Sequence, residues 1–314
     1  MFFIVLFFLL VTFILIKFRK KFKQKWCRSK VCLVGKTVIV TGANTGIGYE
    51  TALEFAKRGA RVILACRNEE RATTARQKIV RETQNENVVV QILNLSSMTS
   101  VRKFAKNILD TEERLDILVN NAGVGGLEHS MTSDGLQLLM QINYFGPTLL
   151  TMLLIDLLKK SAPSRIINVS SMIARFAKLT PENLNSYTGL VMSYSNSKLG
   201  NIFFTMRLAQ LLANSNLSVF SLHPGAINSE LFRKIPRFLR LIGKFILKTP
   251  EEGAQTTLHA ALQQGIEHYS GRHFEECTVV PTYKTAKDEE LIRTIWDQTM
   301  KLIQCEKESL KLSS

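Results

Sequence analysis

The sequence predicts an α/β fold: a doubly wound parallel sheet of about seven strands, preceded by an apolar N-terminal helix. Three observations predict it. Short β-branched runs at 36–41, 61–66, 88–94, 115–119, 165–170, 217–222 and about 272–280 alternate with helical stretches. Such alternation gives parallel strands joined by crossover helices. A glycine-rich turn follows the first run at 41–48, and small or polar residues follow later runs at 120–123 and 170–171. The 314 residues contain no internal repeat, low-complexity segment or Pro/Gly-rich linker. A chain of that length can bury one large α/β core.

Met1 to Ile16 carry no charged side chain, whereas Lys17 to Lys30 hold eight basic residues and no acid. A cleaved signal peptide carries its positive charge before the apolar run and small residues after it. Here the order is reversed and no A-x-A-like site follows. The run is somewhat shorter than the roughly 20 residues of a full span, a deficit that snorkelling basic side chains can cover. The expected organisation is a membrane anchor at 1–17, a basic juxtamembrane segment at 18–34 and a single catalytic domain at 35–314. The basic flank places that domain on the cytosolic side. Formal net charge is +15, and +7 without those eight residues. The excess therefore marks contact with anionic headgroups, and nucleic acid is not an expected partner.

Lys36 to Val40 read as a buried parallel strand. The turn Thr41-Gly-Ala-Asn-Thr-Gly-Ile-Gly48 follows, then helical spacing from Tyr49 to Lys57 with Ala52, Leu53, Phe55 and Ala56 toward a sheet. Gly42 and Gly46 permit a tight turn and close approach of a pyrophosphate. Gly48 permits close helix–strand packing, and the helix N-terminus offers N–H donors to phosphate. This is a Rossmann-type dinucleotide site, or else an ordinary glycine-containing βα turn, because the spacing is not G-x-G-x-x-G. The strand from Arg61 ends in Cys66-Arg67-Asn68, with no acid to accept from an adenosine ribose. Arg67 can pair with a 2′-phosphate, which favours NADP over NAD. The alternative is an exposed arginine capping a strand.

Leu115 to Val119 form another strand, followed by Asn120-Asn121-Ala122-Gly123. Small residues at a strand's C-terminal end suit a ligand crevice. Arg165 to Val169 run into Ser170-Ser171, a polar strand end that says little alone. Tyr194 and Lys198 stand at i and i+4, on one helical face. A free phenol has a pKa near ~10, which a neighbouring cation lowers. A dinucleotide turn with a Tyr/Lys pair describes hydride chemistry at an alcohol or carbonyl. Y-x-x-x-K is common on surface helices. Here it lies between the strand ending at Ser171 and the strand ending His223-Pro224-Gly225.

In that order, T-G-x-x-x-G-I-G, N-N-A-G, the strand-end serine, Y-x-x-x-K and P-G-x-x-x-[TS] (Pro224 to Ser229) resemble the short-chain dehydrogenase/reductase superfamily over roughly 35–280. Gly46-Ile-Gly-Tyr-Glu-Thr-Ala, Leu64-Ala-Cys-Arg-Asn, Asn120-Asn-Ala-Gly-Val, Leu222-His-Pro-Gly and the N-terminus resemble its membrane-anchored retinol dehydrogenase branch. The resemblance implies four catalytic roles. Tyr194 exchanges the proton with the substrate oxygen, and Ser171 hydrogen-bonds that oxygen. Lys198 lowers the phenol pKa and holds the nicotinamide ribose, and Asn143 holds a water in a proton relay. Cofactor contacts are implied at Gly42, Asn44, Thr45, Gly46, Ile47, Gly48, Arg67, Asn94, Leu95, Asn121, Ala122, Gly123, Pro224 and Gly225, with Ser229 at the carboxamide. Two positions depart from the family pattern. Asn94 replaces the usual aspartate near the adenine, and no arginine occurs at Asn44-Thr45. The resemblance further implies a lipophilic alcohol and its aldehyde or ketone as substrate, retinol and retinal first, a steroid or other lipid carbonyl second. It implies the endoplasmic reticulum membrane as location. A membrane-tethered dinucleotide binder without turnover is the reading of a different class, and the intact Tyr194, Lys198 and Ser171 set argues against it.

By the same resemblance, about 229–249 is the substrate lid. Basic residues 233, 234, 237, 240, 244 and 248 interleave there with Leu, Ile and Phe. That pattern over 232–248 suits a helix on a membrane surface and equally a lid helix packed on the core. Five cysteines without C-x-x-C read as reduced cytosolic residues. The five histidines lack metal-ligand spacing, so no metal is expected, and His268 and His273 read as polar surface near Glu275 and Glu276. N-x-S matches at Asn94, Asn168 and Asn216 sit in or beside strands and are discounted as glycosylation sites. A helix at about 286–304 is expected to pack on the sheet through Leu291, Ile292, Ile295, Trp296 and Ile303. The sequence is compatible with a homo-oligomer.

Overall fold

The computed structural model describes residues 25–227 and 247–305. The expected anchor at 1–17, the start of the basic segment, Ser229 and most of the 229–249 lid lie outside the described residues. The strands are β1 (Thr37–Thr41), β2 (Arg61–Cys66), β3 (Val88–Ile92), β4 (Ile117–Asn120), β5 (Ser164–Val169), β6 (Leu217–His223), β7 (His273–Glu275) and β8 (Thr278–Val280). They form one sheet in the order β3-β2-β1-β4-β5-β6-β7-β8. All pairings are parallel except β7 with β8. The order reverses beside β1, and ligands of open α/β sheets bind at such a switch point, outside the strands' C-terminal ends.

The sheet has eight strands where about seven were expected. The run 272–280 is a hairpin, because Glu276 and Cys277 both take positive φ (48° and 55°) and turn the chain back. His273 is not surface. It is 5% exposed, its Nδ1 lies 2.9 Å from Ser221 Oγ, and its Nε2 lies 3.3 Å from Tyr283 Oη.

The main helices are α1 (Gly46–Lys57), α2 (Glu69–Thr83), α3 (Met98–Thr111), α4 (Leu138–Lys160), α5 (Leu190–Leu211), α6 (Pro250–Leu262) and α7 (Glu289–Leu302). Two apolar cores sandwich the sheet. One gathers α3, α4, α5 and α7 on one face, and the other gathers α1, α2 and α6 on the opposite face. Helix α4 is long and apolar enough to cross a membrane, but most of it is buried here, so it is a core helix. Helix α7 packs against α5 and not directly on the sheet. Trp296 stacks on Phe204 with ring centroids 5.5 Å apart, and Thr299 Oγ1 lies 2.9 Å from Tyr144 Oη. The reason is layering: α4 and α5 already cover that face of the sheet.

Candidate active site

The site forms where β1, β4, β5 and β6 end. The turn after β1 is tight: Gly42 takes φ 67° and Gly46 φ 60°. A Cβ on Gly42 would lie 3.0 Å from Ala122 Cα. A Cβ on Gly48 would lie 2.5 Å from both Asn121 Nδ2 and the Gly42 carbonyl oxygen. The close approach at Gly48 is therefore to the turn and the neighbouring loop rather than to a strand. Helices α2, α3, α6 and α7 each begin with a side-chain cap. Helix α1 begins at Thr45 without one, so its first N–H groups lack a side-chain acceptor and face the turn's ligand side.

Thr41, the threonine of the T-G motif, organises the second loop. Its hydroxyl accepts from the N–H of Asn121 (3.0 Å) and of Ala122 (2.9 Å), and its carbonyl accepts from Asn121 Nδ2 (2.8 Å). Gly123 lies under the lysine: a Cβ there would be 3.1 Å from Lys198 Nζ. This bare floor, the uncapped helix end and the crowded glycines are what a dinucleotide pyrophosphate and ribose need.

Arg67 is exposed just beyond β2 and has no carboxylate partner among the described residues. Between the glycine turn and α2, Asn44, Thr45, Gly46, Tyr49, Glu70, Arg71, Thr74, Ala75 and Lys78 line a groove of about 470 Å³. Arg71 and Lys78 were not legible as partners of the turn, because α2 reads as a solvated amphipathic helix. Asn94 lies past the end of β3, which stops at Ile92. Its Oδ1 accepts from Ser96 N–H (3.1 Å) and Ser96 Oγ (2.8 Å), so it builds the turn there. Leu95 is buried with its carbonyl against Gly146, where a Cβ would lie 2.8 Å away.

Lys198, Tyr194 and Ser171, to which the resemblance assigns the proton transfer, converge on the same end of the sheet. Lys198 is 3% exposed, and its Nζ donates to the Val169 carbonyl at 3.0 Å. Nζ sits 5.7 Å from the centroid of the Tyr194 ring. Burial lowers the Lys198 pKa to about 8. Burial also raises the Tyr194 phenol, and the Ser171 hydroxyl beside it pulls the other way. Ser171 starts a 3-10 turn, Met172–Phe176, and its hydroxyl accepts from Ile173 N–H at 3.4 Å.

Asn143 is not in a regular α-helix. It lies in a π-helical turn, Gln141–Phe145, inside α4, and such turns recur at functional sites. Its Oδ1 accepts from Val124 N–H (2.8 Å), and its Nδ2 donates to the Val124 carbonyl (2.8 Å) and to Ser197 Oγ (3.1 Å). Its own carbonyl accepts from Asn201 Nδ2 at 3.1 Å. A buried ladder continues below. Thr205 Oγ1 donates to the Asn201 carbonyl, Asn168 Nδ2 to Thr205 Oγ1, and Asn120 Nδ2 to Asn168 Oδ1. Asn201, Thr205, Asn168 and Asn120 are site-supporting residues that the motif reading passed over. Asn168 is 2% exposed, in accord with discounting it as a glycosylation position, whereas Asn216 is exposed.

Pro224 and Gly225 close the far wall. Gly225 takes φ 99°, and Lys248 crosses it so closely that a Cβ would lie 2.7 Å from Lys248 Cδ. Lys248 N–H donates to the Ala226 carbonyl at 2.9 Å, and its Nζ reaches Glu276 Oε1 at 2.5 Å. His223 is held neutral by burial, with Lys248 and Arg175 nearby, and its pKa falls to about 4. Among the described residues no His/Cys/Asp/Glu cluster could hold a metal.

A parallel sheet with this switch point, a dinucleotide turn, a buried Lys198 and a half-buried Tyr194 and Ser171 define an oxidoreductase of the dinucleotide-dependent α/β class. The chain belongs to the short chain dehydrogenase family, whose profile matches residues 36–239. It is 44% identical to human retinol dehydrogenase 11 over 289 residues, 91% of each chain. It is 41% identical to human retinol dehydrogenase 12 over 290 residues, 91% of this chain and 92% of that one. Bovine dehydrogenase/reductase SDR family member 13 is 42% identical over 285 residues, 88% of this chain and 75% of that one. Among solved structures, a short chain dehydrogenase from Shigella flexneri 2a complexed with NADP superposes with a TM-score of 0.64 at 26% identity, covering 78% of this chain and 98% of that one.

Proposed function

We propose that the protein uses NADP(H) to interconvert a lipophilic alcohol and its aldehyde or ketone, with retinol and retinal as the principal pair. One observation carries the reading: Tyr194, Lys198 and Ser171 meet at the strand ends directly beside the Gly123 floor and the uncapped end of α1. The likeness to retinol dehydrogenases 11 and 12 supports the retinoid. Exposed Arg67 and the basic groove at Arg71 and Lys78 support the 2′-phosphate.

The dinucleotide supplies or accepts the hydride when bound. Ser171 holds the substrate oxygen by donating its hydroxyl hydrogen. The Tyr194 phenol gives its proton to that oxygen in reduction and takes it back in oxidation. Burial alone disfavours the phenolate, so the Lys198 ammonium and the Ser171 hydroxyl are needed to make it accessible. With a pKa near 8, Lys198 keeps most of its charge at neutral pH. Asn143 fixes the 122–124 loop through both of its side-chain ends. A water on Asn143 would use the second lone pair of its carbonyl, because Asn201 takes the first.

The test is turnover by the full chain in detergent or liposomes, with NADPH and NADH, against retinal, steroid ketones and aliphatic aldehydes. Retinal reduction with NADPH is the expected leading activity. Preference for a steroid ketone would move the substrate to the second class, and no turnover of any carbonyl would reject the enzyme reading. Protease protection in sealed microsomes tests the location: a catalytic domain resistant until detergent is added would overturn the cytosolic orientation.

A further inference from the structure

The chain does not enter the catalytic domain from the side on which its first strand begins. Strand β1 starts at Thr37, on the edge of the sheet opposite the site. The preceding residues instead run along α6. Arg58 Nη1 donates to the Ser29 carbonyl at 2.8 Å, and Ser29 Oγ donates to the Leu262 carbonyl at 2.7 Å, at the C-terminal end of α6. Cys27 N–H donates to Gln255 Oε1 at 3.2 Å, nearer the other end. Lys25 Nζ donates to Thr278 Oγ1 at 2.6 Å, and the Cys277 thiol contacts the Lys25 carbonyl at 3.6 Å. Those last partners lie at the β7–β8 turn, level with His223 in the sheet register. The strap thus carries the chain from the far edge back to the edge that holds Tyr194, Ser171 and Gly225.

The same edge carries a run of exposed apolar side chains. Met172 (42% exposed) and Phe176 (67%) lie on the turn after Ser171. Leu190 (45%) and Val191 (65%) lie on the first turn of α5, just before Tyr194, and α5 packs on the 172–176 turn. Trp26 (47%) stands beside exposed Lys25 and Arg28 at the end of the strap. Exposed apolar side chains flanking a site mark an interaction surface. Tryptophan beside basic residues is the pairing found at a membrane interface.

From this geometry we infer that the catalytic edge faces a lipid bilayer with anionic headgroups, and that the Met172, Phe176, Leu190 and Val191 rim rests on it as the entrance for a lipid-dissolved substrate. The inference rests on the expectation from the sequence that residues 1–17 form a membrane anchor. Only residues 18–24 separate that segment from Lys25, and seven residues reach at most about 25 Å when fully extended. A domain tied this closely at its catalytic edge cannot turn the opposite edge to the bilayer.

The experiment uses the full chain in vesicles of phosphatidylcholine and phosphatidylserine, with or without brominated acyl chains, which quench nearby tryptophan. In a Trp26→Phe background the remaining native tryptophan is Trp296, buried against Phe204. Reporters are placed singly as Phe176→Trp and Val191→Trp on the rim. Glu86→Trp, at an exposed carboxylate before β3 on the opposite edge, is the control. Brominated lipid should cut the added emission of either rim reporter by about twofold or more, the depth of an interfacial apolar face, and leave the control unchanged. Equal quenching at all three positions, or none at the rim in protein that floats with the vesicles, overturns the orientation. Protein that does not float overturns the anchor reading, and the orientation falls with it. Retained Trp296 emission at its native wavelength reports that each variant is folded.

Discussion

Gly48→Ala tests whether the glycine turn and the N-N-A-G loop act as one unit. The new Cβ would sit 2.5 Å from Asn121 Nδ2, 2.5 Å from the Gly42 carbonyl oxygen and 3.0 Å from the Gly42 carbonyl carbon. Two of these atoms are backbone in a turn with fixed φ, so they cannot swing aside. Overpacking of this kind costs about 1–3 kcal/mol. Displacing Asn121 also breaks its 2.8 Å bond to the Thr41 carbonyl, about 1 kcal/mol more. The total is roughly 2–4 kcal/mol, divided between folding and dinucleotide binding. Each ~1.4 kcal/mol that falls on binding weakens it tenfold. Thermal melts and a fluorescence titration with NADPH should show a lower Tm together with at least about tenfold weaker binding. The control is Gly46→Asn. Gly46 has φ 60° and nothing within 4 Å of its would-be Cβ, and asparagine tolerates that conformation. Its stability loss should therefore be the smaller. If Gly48→Ala melts and binds like the wild type, the crowding described above does not govern the site.

Tyr194→Phe should abolish turnover, by about 10²–10⁴-fold for a lost proton-transfer group, while NADPH binding measured by fluorescence stays near normal. Arg67→Asp should shift preference from NADPH toward NADH, by roughly tenfold or more for a charge-assisted contact replaced by repulsion; a wild type that prefers NADH refutes the argument before the variant is made. For Lys198 the folded pKa of about 8 lies below its ordinary 10.5, so the unfolded chain holds more protons between those values and stability rises with pH there. Relative to Lys198→Met, the wild type should gain roughly 1 kcal/mol per pH unit above pH 8, read from urea melts at pH 7.5 and 9.5; a constant difference would place the ammonium in water.

The elements most legible in the sequence were those set by local periodicity. Strands β1, β2, β4, β5 and β6 end within a residue or two of their β-branched runs, because burial on both faces leaves a continuous apolar signature. The motif residues were legible for a similar reason: each lies at a strand end or on one helical face, where spacing maps directly to position. What was not legible depends on contacts distant in sequence. The hairpin at 276–277 rests on positive φ at two non-glycine residues, which no local pattern announces. Burial of His273 follows from Ser221 and Tyr283, 52 residues before it and 10 after it. The docking of α7 on α5 depends on which face of the sheet was already covered. The π-helical turn at Asn143 is invisible to a period of 3.6, and the polar ladder from Asn120 to Asn201 joins three strand and helix segments whose asparagines look unremarkable one at a time.

That ladder bears on how the site holds its shape. Buried asparagines are costly unless their polar ends are met, and in this ladder Asn120 Oδ1 is buried without a partner. Here they run in register from Asn120 on β4 to Asn168 on β5, then through Thr205 and Asn201 on α5 to the π-helical turn of α4. The turn places Asn143 to grip Val124 from both sides, and the gripped loop forms the floor on which Lys198 lies. The ammonium is held directly by the Val169 carbonyl at the end of β5 and rests on a loop whose hydrogen bonds run back to the middle of the sheet, with no carboxylate partner among the described residues. With no acid among the described residues to hold Lys198, its charge remains available to the phenol of Tyr194. In the orientation proposed above, the exposed apolar turns on either side of Ser171 and Tyr194 meet the substrate first, and its selection falls to them. A rigid polar floor for proton transfer and an apolar rim for recognition can vary independently, which is why the rim, rather than the motif residues, should carry the discrimination between retinal and a steroid ketone.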